Sequence, residues 1–257
     1  MEHDSVVASL AKLASLNLAT TYLALGKSSE GSTVFEESGF GGCLGPTPHP
    51  VCNFAVGLNL GPSDPARLAE IASARPQFNI YACPTDRPPD LGAQLEREGF
   101  RNAYRLRQMI ARGGSAASGI VPSEVRSPSG RDETAGFMMR EFFGRSDGPS
   151  RDAVRRATAA AEELELHCFD EAGETVAAAM LSRSEGMVGL YNLCVRRDRR
   201  GRGWGGAVVQ WALSTASEKE WVTLQCDGVL ESWYAKLGFR SIGSVEVYVW
   251  DRALELI

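Results

Sequence analysis

One stretch of the chain, residues 187–210, constrains its fold and its ligand more than any other. It reads MVGLYNLCVRRDRRGRGWGGAVVQ. An apolar run leads into an arginine-rich turn, glycines follow at positions 201, 203, 205 and 206, and apolar residues then recur at helical spacing. This order predicts a strand, a glycine-rich turn and the start of a helix. Unpaired backbone N–H groups and the helix dipole favour an anion at such a turn, so we expect a phosphorylated ligand.

Two common phosphate-binding motifs fit this turn poorly. A P-loop needs Lys followed by Ser or Thr after its last glycine, and the chain has Gly206 and Ala207 there. A dinucleotide fingerprint is matched loosely through Gly206, but no acidic residue closes a second strand about twenty residues later. The sequence from Arg200 to Gly205, RGRGWG, fits the pattern R-x-x-G-x-G/A better.

A second motif lies downstream and reads DGVLESWYAKLGF over residues 227–239. Together the two motifs resemble those of the GCN5-related N-acetyltransferases, the GNAT superfamily, whose second signature is N-x-x-A-x-x-x-Y-x-K-x-G-F. Tyr234, Lys236 and the final Gly-Phe pair match this signature. Asp227 replaces the usual Asn and Leu230 the usual Ala, so the start of this helix departs from it. The resemblance covers roughly residues 121–250.

The resemblance implies an α/β GNAT fold with a mixed sheet, and acetyl-CoA as the cofactor. In the family a splayed strand pairs with the pantetheine arm and the glycine loop holds the pyrophosphate. The cofactor-binding positions carried over to this sequence are Leu193, Cys194, Val195, Arg200, Gly201, Arg202, Gly203, Trp204, Gly205 and Gly206. The Leu193 N–H would polarise the thioester carbonyl. Tyr234 would act as general acid toward the leaving thiolate.

The general base is left open by the sequence. The candidates are Glu165, Glu185, Asp227 and His167. Each of the carboxylates is equally well explained as a surface or turn residue, and the histidine as a structural one. Cys194 lies on the cofactor strand, but a covalent route through it would need an adjacent base that the sequence does not display.

The N-terminal half repeats the order of elements found around the two motifs. Both halves predict strand, helix, strand, a helix ending in Gly-Phe, and a strand, and the two phenylalanines, Phe100 and Phe239, lie 139 residues apart. We therefore predict a tandem protein: a degenerate GNAT-like domain at residues 1–113 and a catalytic GNAT domain at 119–257, joined by a linker at 112–118. The first copy carries Asp64 between two prolines where the glycine loop would be, which disfavours phosphate binding.

Local patterns predict several further elements. The apolar spacing over residues 5–25 predicts a long helix. Residues 39–50 are rich in Gly and Pro and are predicted to be loop. Asp64 is predicted as the N-cap of a helix. The strands that begin and close the second domain are predicted at residues 121–125 and 245–250.

Composition indicates a cytoplasmic enzyme. The formal net charge of −5 gives no support for nucleic-acid binding. The start of the chain lacks the basic segment of a signal peptide, and we expect no run long enough to span a membrane. The six cysteines show no C-x-x-C spacing and are expected to be reduced and mostly buried. No metal site is predicted, because His49 and Cys52 lack further convincing ligands.

The most direct interpretation is an acetyl-CoA-dependent N-acetyltransferase that acts on a small-molecule amine by direct attack on the thioester. A peptide or protein N-acetyltransferase is the enzymatic alternative. A module that binds acyl-CoA without turning over an acceptor is the non-enzymatic alternative, and the presence of Tyr234 argues against it. The oligomeric state, monomer or homodimer, is left open.

Overall fold

The computed structural model describes residues 2–75, 77–114, 119–143 and 148–250. Within them, eleven strands form one mixed sheet. In chain order the strands are β1 (Thr33–Glu36), β2 (Gly41–Leu44), β3 (Asn53–Val56), β4 (Asn79–Ala82), β5 (Phe100–Arg112), β6 (Ser123–Glu124), β7 (Glu165–Glu171), β8 (Glu174–Ser184), β9 (Met187–Val195), β10 (Trp221–Cys226) and β11 (Arg240–Trp250). Their order across the sheet is β1-β2-β3-β4-β11-β5-β10-β9-β8-β7-β6. The mixed α/β architecture predicted from the motifs is confirmed.

Helices cover both faces of this sheet. They are α1 (Glu2–Lys27), α2 (Asp64–Ser73), α3 (Leu91–Arg97), α4 (Pro128–Phe143), α5 (Pro149–Ala160), α6 (Trp204–Thr215) and α7 (Glu231–Lys236). Side chains alternate between the faces along each strand. On β8, Ala177 and Ala179 pack toward α6, whereas Ala178 and Met180 pack toward α1, α4 and α5. The face under α1 is called the α1 face below.

The two halves of the chain exchange their long strands. β5, from the N-terminal half, pairs antiparallel with both β10 and β11 of the C-terminal half. β11 in turn pairs antiparallel with β4 of the N-terminal half. The sheet is therefore continuous through both halves, and the boundary at residues 112–118 divides the chain but not the sheet. The division into two domains stays a prediction.

The backbone supports the repeat seen in the sequence. Gly99 follows α3 and Gly238 follows α7, and their φ angles are 99° and 95°. Both conformations are left-handed, which favours glycine and is a common way to end a helix. Each glycine leads through a phenylalanine into one of the two exchanged strands.

In the N-terminal half, the cleft that would correspond to a cofactor site is closed by the chain itself. Beyond β3 and β4, the N–H of Arg87 donates to Leu58 O and the N–H of Leu60 donates to Arg87 O, both at 2.9 Å. The Asp64 carboxylate accepts a hydrogen bond from the Gly61 N–H at 2.8 Å. Asp64 is the first residue of α2 and Ser63 is the N-cap, which corrects the predicted N-cap. The Asp64 carboxylate therefore occupies the Gly61 N–H, a donor that a bound phosphate would need.

Helix α1 crosses the centre of one sheet face. Its residues Ala14 and Leu18 are buried, and the Asn17 amide donates to Ser182 O at 3.0 Å. By length and composition, Ser5–Lys27 is long and apolar enough to cross a membrane, with a mean hydropathy of 1.3. This corrects the expectation that no segment reaches that length. In this fold the helix contributes to the core.

Three other predictions need correction. The predicted loop at residues 39–50 contains strand β2, because Gly42 lets the backbone of β3 approach closely: a Cβ there would lie 2.1 Å from Phe54 O. The last strand begins at Arg240 rather than at 245, and the strand predicted at 121–125 is reduced to Ser123–Glu124. The other predicted elements are confirmed with bounds shifted by a few residues. Of the predicted linker, Arg112 belongs to β5, and residues 115–118 lie outside the described residues.

Candidate active site

The site begins where β9 and β10 part. Their parallel pairing runs from Met187 with Trp221 to Gly189 with Thr223 and ends there. Residues 190–195 of β9 continue past β10 while still paired on their other side with β8. The separation leaves a notch in the sheet, referred to below as the β9–β10 notch. On the side of the notch, residues 190–195 of β9 therefore have no partner strand.

A β-bulge in β9 sets which side chains face which way at this notch. Ala178 pairs with Cys194 and Met180 with Tyr191, so two residues of β9 lie opposite one residue of β8. Asn192, within the bulge, has a φ of 49°. Because the bulge shifts the alternation, Leu193 packs against the α6 side of the sheet, whereas Tyr191 and Cys194 both pack toward the α1 face.

The glycine-rich turn leads directly into the N-terminus of α6. Gly201 and Gly203 have φ angles of 75° and 87°, and an added Cβ at either would meet no protein atom within 4 Å. The first intrahelical bond of α6 runs from the Ala207 N–H to Gly203 O. The N–H groups of residues 204–206 therefore precede the helical ladder and point out of the helix end. Open glycine backbone and a helix N-terminus together form an anion-binding geometry.

The notch, the turn and α6 enclose a cavity of about 760 Å³. It is lined by Glu141, Phe142, Leu193, Cys194, Val195, Arg199, Arg200, Gly201, Gly203, Trp204, Gly205, Gly206, Leu230 and Trp233. Every cofactor-binding residue predicted from the sequence lines this cavity except Arg202, which is exposed. The residues that sequence reasoning missed come from α4, from the turn and from the segment just before Tyr234. We refer to this space as the loop cavity.

Arg200 is held in place by groups of the protein. Its Nε donates to Val195 O at 2.9 Å, and its guanidinium lies 3.3 Å from the Glu141 carboxylate. Glu141 is only 13% exposed and belongs to α4. The carboxylate neutralises Arg200 and pins it at the rim of the loop cavity. The carbonyl of Val195, a predicted cofactor-binding position, is engaged by this hydrogen bond.

Tyr234 lies behind the wall of the loop cavity. It is 8% exposed and packs edge-to-face against Trp233 and Phe239, with ring centroids 4.7 and 5.7 Å away. Trp233 lines the cavity, and Tyr234 belongs to the same apolar cluster against which Leu193 packs. Burial raises the pKa of Tyr234 to about 12. The phenol therefore stays protonated throughout the neutral range.

The base candidates lie outside the lining of the loop cavity. Glu165 is engaged by His167, whose Nε2 is 3.4 Å away, and by Arg183 at 2.8 Å. The hydrogen bond from His167, followed by Arg183, lowers the pKa of Glu165 to about 2. Asp227 accepts from the Val229 N–H at 3.0 Å and caps the turn before α7. The Asp that replaces the usual Asn therefore supports the local backbone.

The surroundings of Cys194, on β9, disfavour the thiolate form of its side chain. Cys194 is buried, and burial raises the pKa of its thiol to about 12. All six cysteines are free, and five of them are buried. In the loop before β3, His49 accepts a hydrogen bond at Nδ1 from the Val51 N–H at 3.1 Å, which is a structural use of the imidazole. The described residues contain no group of three or more potential metal ligands.

Comparison with known proteins agrees with this geometry. Residues 162–241, under a third of the chain, match the family model described as an acetyltransferase (GNAT) domain. A GCN5-related N-acetyltransferase from Kribbella flavida is 14% identical with a TM-score of 0.60, and the match covers 93% of this chain and 94% of that one. A GNAT-family protein from Novosphingobium aromaticivorans is 18% identical with a TM-score of 0.55, covering 88% and 94%. No curated protein sequence matches the chain.

A third similar structure is a tandem GNAT protein from the clavulanic acid biosynthesis pathway. It is 11% identical with a TM-score of 0.55, and the match covers 85% of this chain and 83% of that one. At such identities these structures establish a shared fold only. The fold and the family match define the class: residues 162–241 form a GNAT acetyltransferase domain. The chain therefore contains a GNAT acetyltransferase domain, and the rest of it is similar to these proteins in fold alone.

Proposed function

We propose that the chain transfers an acetyl group from acetyl-CoA to the amine of a small molecule by direct attack on the thioester. The observation that carries the proposal is the loop cavity. It joins an anion-binding turn and helix N-terminus to a splayed, bulged strand within one space of about 760 Å³. That volume is in the range of sites that bind cofactor-sized ligands.

The residues of the cavity fit the chemistry of such a ligand. The open backbone at Gly201 and Gly203, with the N-terminus of α6, suits a pyrophosphate. Arg199 and Arg200 add positive charge at the rim. Trp204 and Trp233 supply apolar surface for the less polar part of the ligand. When bound, acetyl-CoA supplies the acetyl group as an activated thioester.

Three tasks then fall to the chain itself. The β9 backbone at Leu193 would orient the acyl carbonyl and donate an N–H to its oxygen. Tyr234, protonated at neutral pH because its pKa is raised to about 12, would hold the proton for the leaving sulfur. The amine must lose its proton before attack. Since Glu165 and Asp227 are engaged in local hydrogen bonds, we expect water rather than a carboxylate in contact with the amine to accept it.

The direct test is thermal unfolding with acetyl-CoA, with NAD and with ATP. A ligand at one hundred times its Kd stabilises a fold by about 2.7 kcal/mol. A rise in melting temperature with acetyl-CoA alone, followed by release of free thiol in the presence of an amine, is expected. A rise without thiol release from any amine would favour the non-catalytic acyl-CoA module. Turnover only with peptides would favour the peptide or protein N-acetyltransferase. No rise would contradict the proposed cofactor.

A further inference from the structure

A second cavity lies in the N-terminal half, between α1 and the loops that follow β3 and β4. Its volume is about 610 Å³, which is in the range of sites that hold small organic ligands. It lies beside the hydrogen bond between Arg87 N–H and Leu58 O, one of those that close the N-terminal cleft. Among the described residues it shares no lining residue with the loop cavity. We call it the α1 cavity.

One carboxylate, that of Asp86, is found in the described lining of the α1 cavity. Its Oδ2 accepts a hydrogen bond from the Cys83 N–H at 2.8 Å, which fixes the side chain in the loop after β4. Burial raises the pKa of Asp86 to about 7, although the backbone N–H groups of Cys83 and Leu58 oppose this effect. A carboxylate has about four lone-pair positions, so Asp86 can still accept from a ligand.

The charge of Asp86 is not compensated by the described part of the chain. No cationic side chain there contributes to its pKa, and it forms no salt bridge with the described residues. Lys12 of α1 and Arg87 also line the α1 cavity, but both are exposed. A partly buried carboxylate is disfavoured in its charged form unless a cation lies near it. A ligand that carries a positive charge would therefore stabilise the ionised Asp86.

The hydroxyl groups on the α1 side of the cavity favour the same kind of ligand. Ser9 Oγ donates to Ser5 O at 3.0 Å, and Ser15 Oγ donates to Ala11 O at 2.8 Å. Because the hydroxyl protons are used within the helix, the oxygens have only lone pairs left to offer. An ammonium group has donors and no acceptor, so it complements such oxygens.

The rest of the lining is largely apolar. Leu16 of α1 lines the cavity and is 54% exposed, and Ala8, Ala19 and Leu58 lie in the same lining. A single exposed leucine is common on protein surfaces. Here it borders the same space as an uncompensated carboxylate. A ligand with an apolar body next to its positive charge would cover the leucine and pair with Asp86 at once.

We propose that the α1 cavity is a binding site for an organic amine, with the ammonium group on Asp86 and the apolar body against Leu16. A carboxylate ligand would be repelled by Asp86, and a neutral alcohol would leave its charge uncompensated. The site is independent of the proposed acetyl transfer, since it needs neither acetyl-CoA nor the loop cavity. It gives the N-terminal half, whose cofactor cleft is closed, a ligand of its own.

The test is isothermal titration calorimetry of the full chain without acetyl-CoA. Phenethylamine is compared with its neutral isostere phenethyl alcohol, with the anion hydrocinnamate, and with ethylamine, which lacks the apolar body. Phenethylamine is expected to bind most tightly. Asp86→Asn is expected to weaken its binding about tenfold or more, because a hydrogen bond to a charged group is lost. Asp90→Asn, at the exposed N-cap of α3 and outside the lining, is the matched control.

A second variant tests the apolar part of the site. Leu16→Ser is expected to weaken phenethylamine binding, whereas Val6→Ser is expected to leave it unchanged. Val6 lies on the same helix and is similarly exposed, at 52%, but does not line the α1 cavity. Because both side chains are exposed, the melting temperature should stay near that of wild type in both variants.

The pH dependence of binding separates an ion pair from simple apolar association. Phenethylamine affinity should fall about tenfold from about pH 8 to about pH 6, since Asp86, with a pKa of about 7, takes up a proton while the amine keeps its own. The other charged or titratable groups near Asp86 are Lys12, Arg87 and Cys83. The first two remain cationic, and burial raises the pKa of the Cys83 thiol, which stays protonated.

Three results would each overturn the assignment. They are equal binding of phenethyl alcohol or hydrocinnamate, undiminished phenethylamine affinity in Asp86→Asn, and absence of phenethylamine binding to wild type. Binding that survives Asp86→Asn would place the amine elsewhere on the chain. Failure of the proposed acetyl transfer is distinguishable, because it appears as a missing thermal shift with acetyl-CoA and leaves this titration unaffected.

Discussion

Leu106 of β5 and Val245 of β11 face each other in register at the centre of the sheet, and they are 139 residues apart. Gly99 and Gly238 are separated by the same number, as are Phe100 and Phe239. Adding 139 to the residue numbers of β5 gives those of β11 to within one residue. Leu106 and Val245 are thus equivalent positions of the two strands, and they pair with each other. If the two halves are a tandem repeat with exchanged long strands, a two-fold axis relating them would pass through this pair.

This exchange predicts that neither half folds alone. Residues 119–257 by themselves would leave β10 and β11 without β5, and would expose Val245 and Val247, which are both fully buried. We expect each half expressed separately to lack cooperative thermal unfolding by circular dichroism. Co-expression of the two halves should restore it together with acetyl-CoA binding. A folded, acetyl-CoA-binding fragment 119–257 would contradict the interdependence.

Gly203→Glu is expected to abolish the acetyl-CoA thermal shift. The change adds bulk and negative charge to the open turn beside the α6 N-terminus. Gly173→Glu is the matched control, since Gly173 also has a positive φ, 80°, and open space around it, but lies in the β7–β8 turn. Because both variants carry similar backbone strain, strain alone would affect them equally. Only Gly203→Glu, which changes the loop cavity, should lose binding. Equal loss in both would assign the effect to strain.

The Arg200–Glu141 pair predicts opposite effects of its two members on affinity. Arg200→Gln is expected to weaken acetyl-CoA binding about tenfold, because a hydrogen bond to a charged group contributes roughly 1.5–3 kcal/mol and Arg200 is half-exposed. Glu141→Gln removes a competing carboxylate from the loop cavity, so tighter binding is expected. Isothermal titration calorimetry at fixed ionic strength measures both. Arg202→Gln, at the exposed position outside the cavity lining, is expected to change affinity little.

Tyr234→Phe is expected to lower kcat about a hundredfold or more while acetyl-CoA affinity is unchanged. Tyr248→Phe, on β11 but packed in the core of the N-terminal half and away from the loop cavity, is the control. Stability gives an independent check. Burial raises the pKa of Tyr234 from 10.0 to about 12, so the unfolded chain loses the phenolic proton first. The free energy of unfolding should fall as pH rises from about 10 toward 12, and less so in Tyr234→Phe. An unchanged kcat would remove Tyr234 from the mechanism.

Cys194→Ala is expected to retain turnover. Burial raises the pKa of its thiol to about 12, so almost no thiolate forms at neutral pH, and direct attack by the amine needs none. Initial rates at varied acetyl-CoA and amine concentrations should give intersecting rather than parallel double-reciprocal lines. Parallel lines together with inactivity of Cys194→Ala would indicate an acetyl-cysteine route instead.

The glycine turn could be predicted from sequence because it is local. Gly201 and Gly203 require left-handed or open backbone, and the apolar run before them and the helix after them fix what they connect. Leu193 and Val195 came from the family resemblance, which carries the strand before the turn over to this sequence. The closed N-terminal cleft was also predictable in outline, since Asp64 and the flanking prolines are unsuited to phosphate.

The strand exchange could not be predicted in this way. It depends on which strand lies beside β10, and no local pattern distinguishes β5 from β11 in that position. Glu141 was missed because its contact with Arg200 joins residues 59 positions apart. Arg202 was included because it lies within the motif, yet its side chain is exposed while Arg200 turns back onto Val195 O.

The hydrogen bonds that join Leu58, Arg87 and Leu60 have a consequence for stoichiometry. They occupy the backbone groups that a ligand would use, and the Asp64 carboxylate satisfies the adjacent N–H. One substitution would not reopen that cleft. Removal of the Asp64 side chain would leave the backbone hydrogen bonds of Leu58, Arg87 and Leu60 in place, and loss of those hydrogen bonds would leave the Asp64 carboxylate on the Gly61 N–H. If the N-terminal half is a second copy of the domain, it offers no cofactor site of its own, and a titration should saturate at one acetyl-CoA per chain.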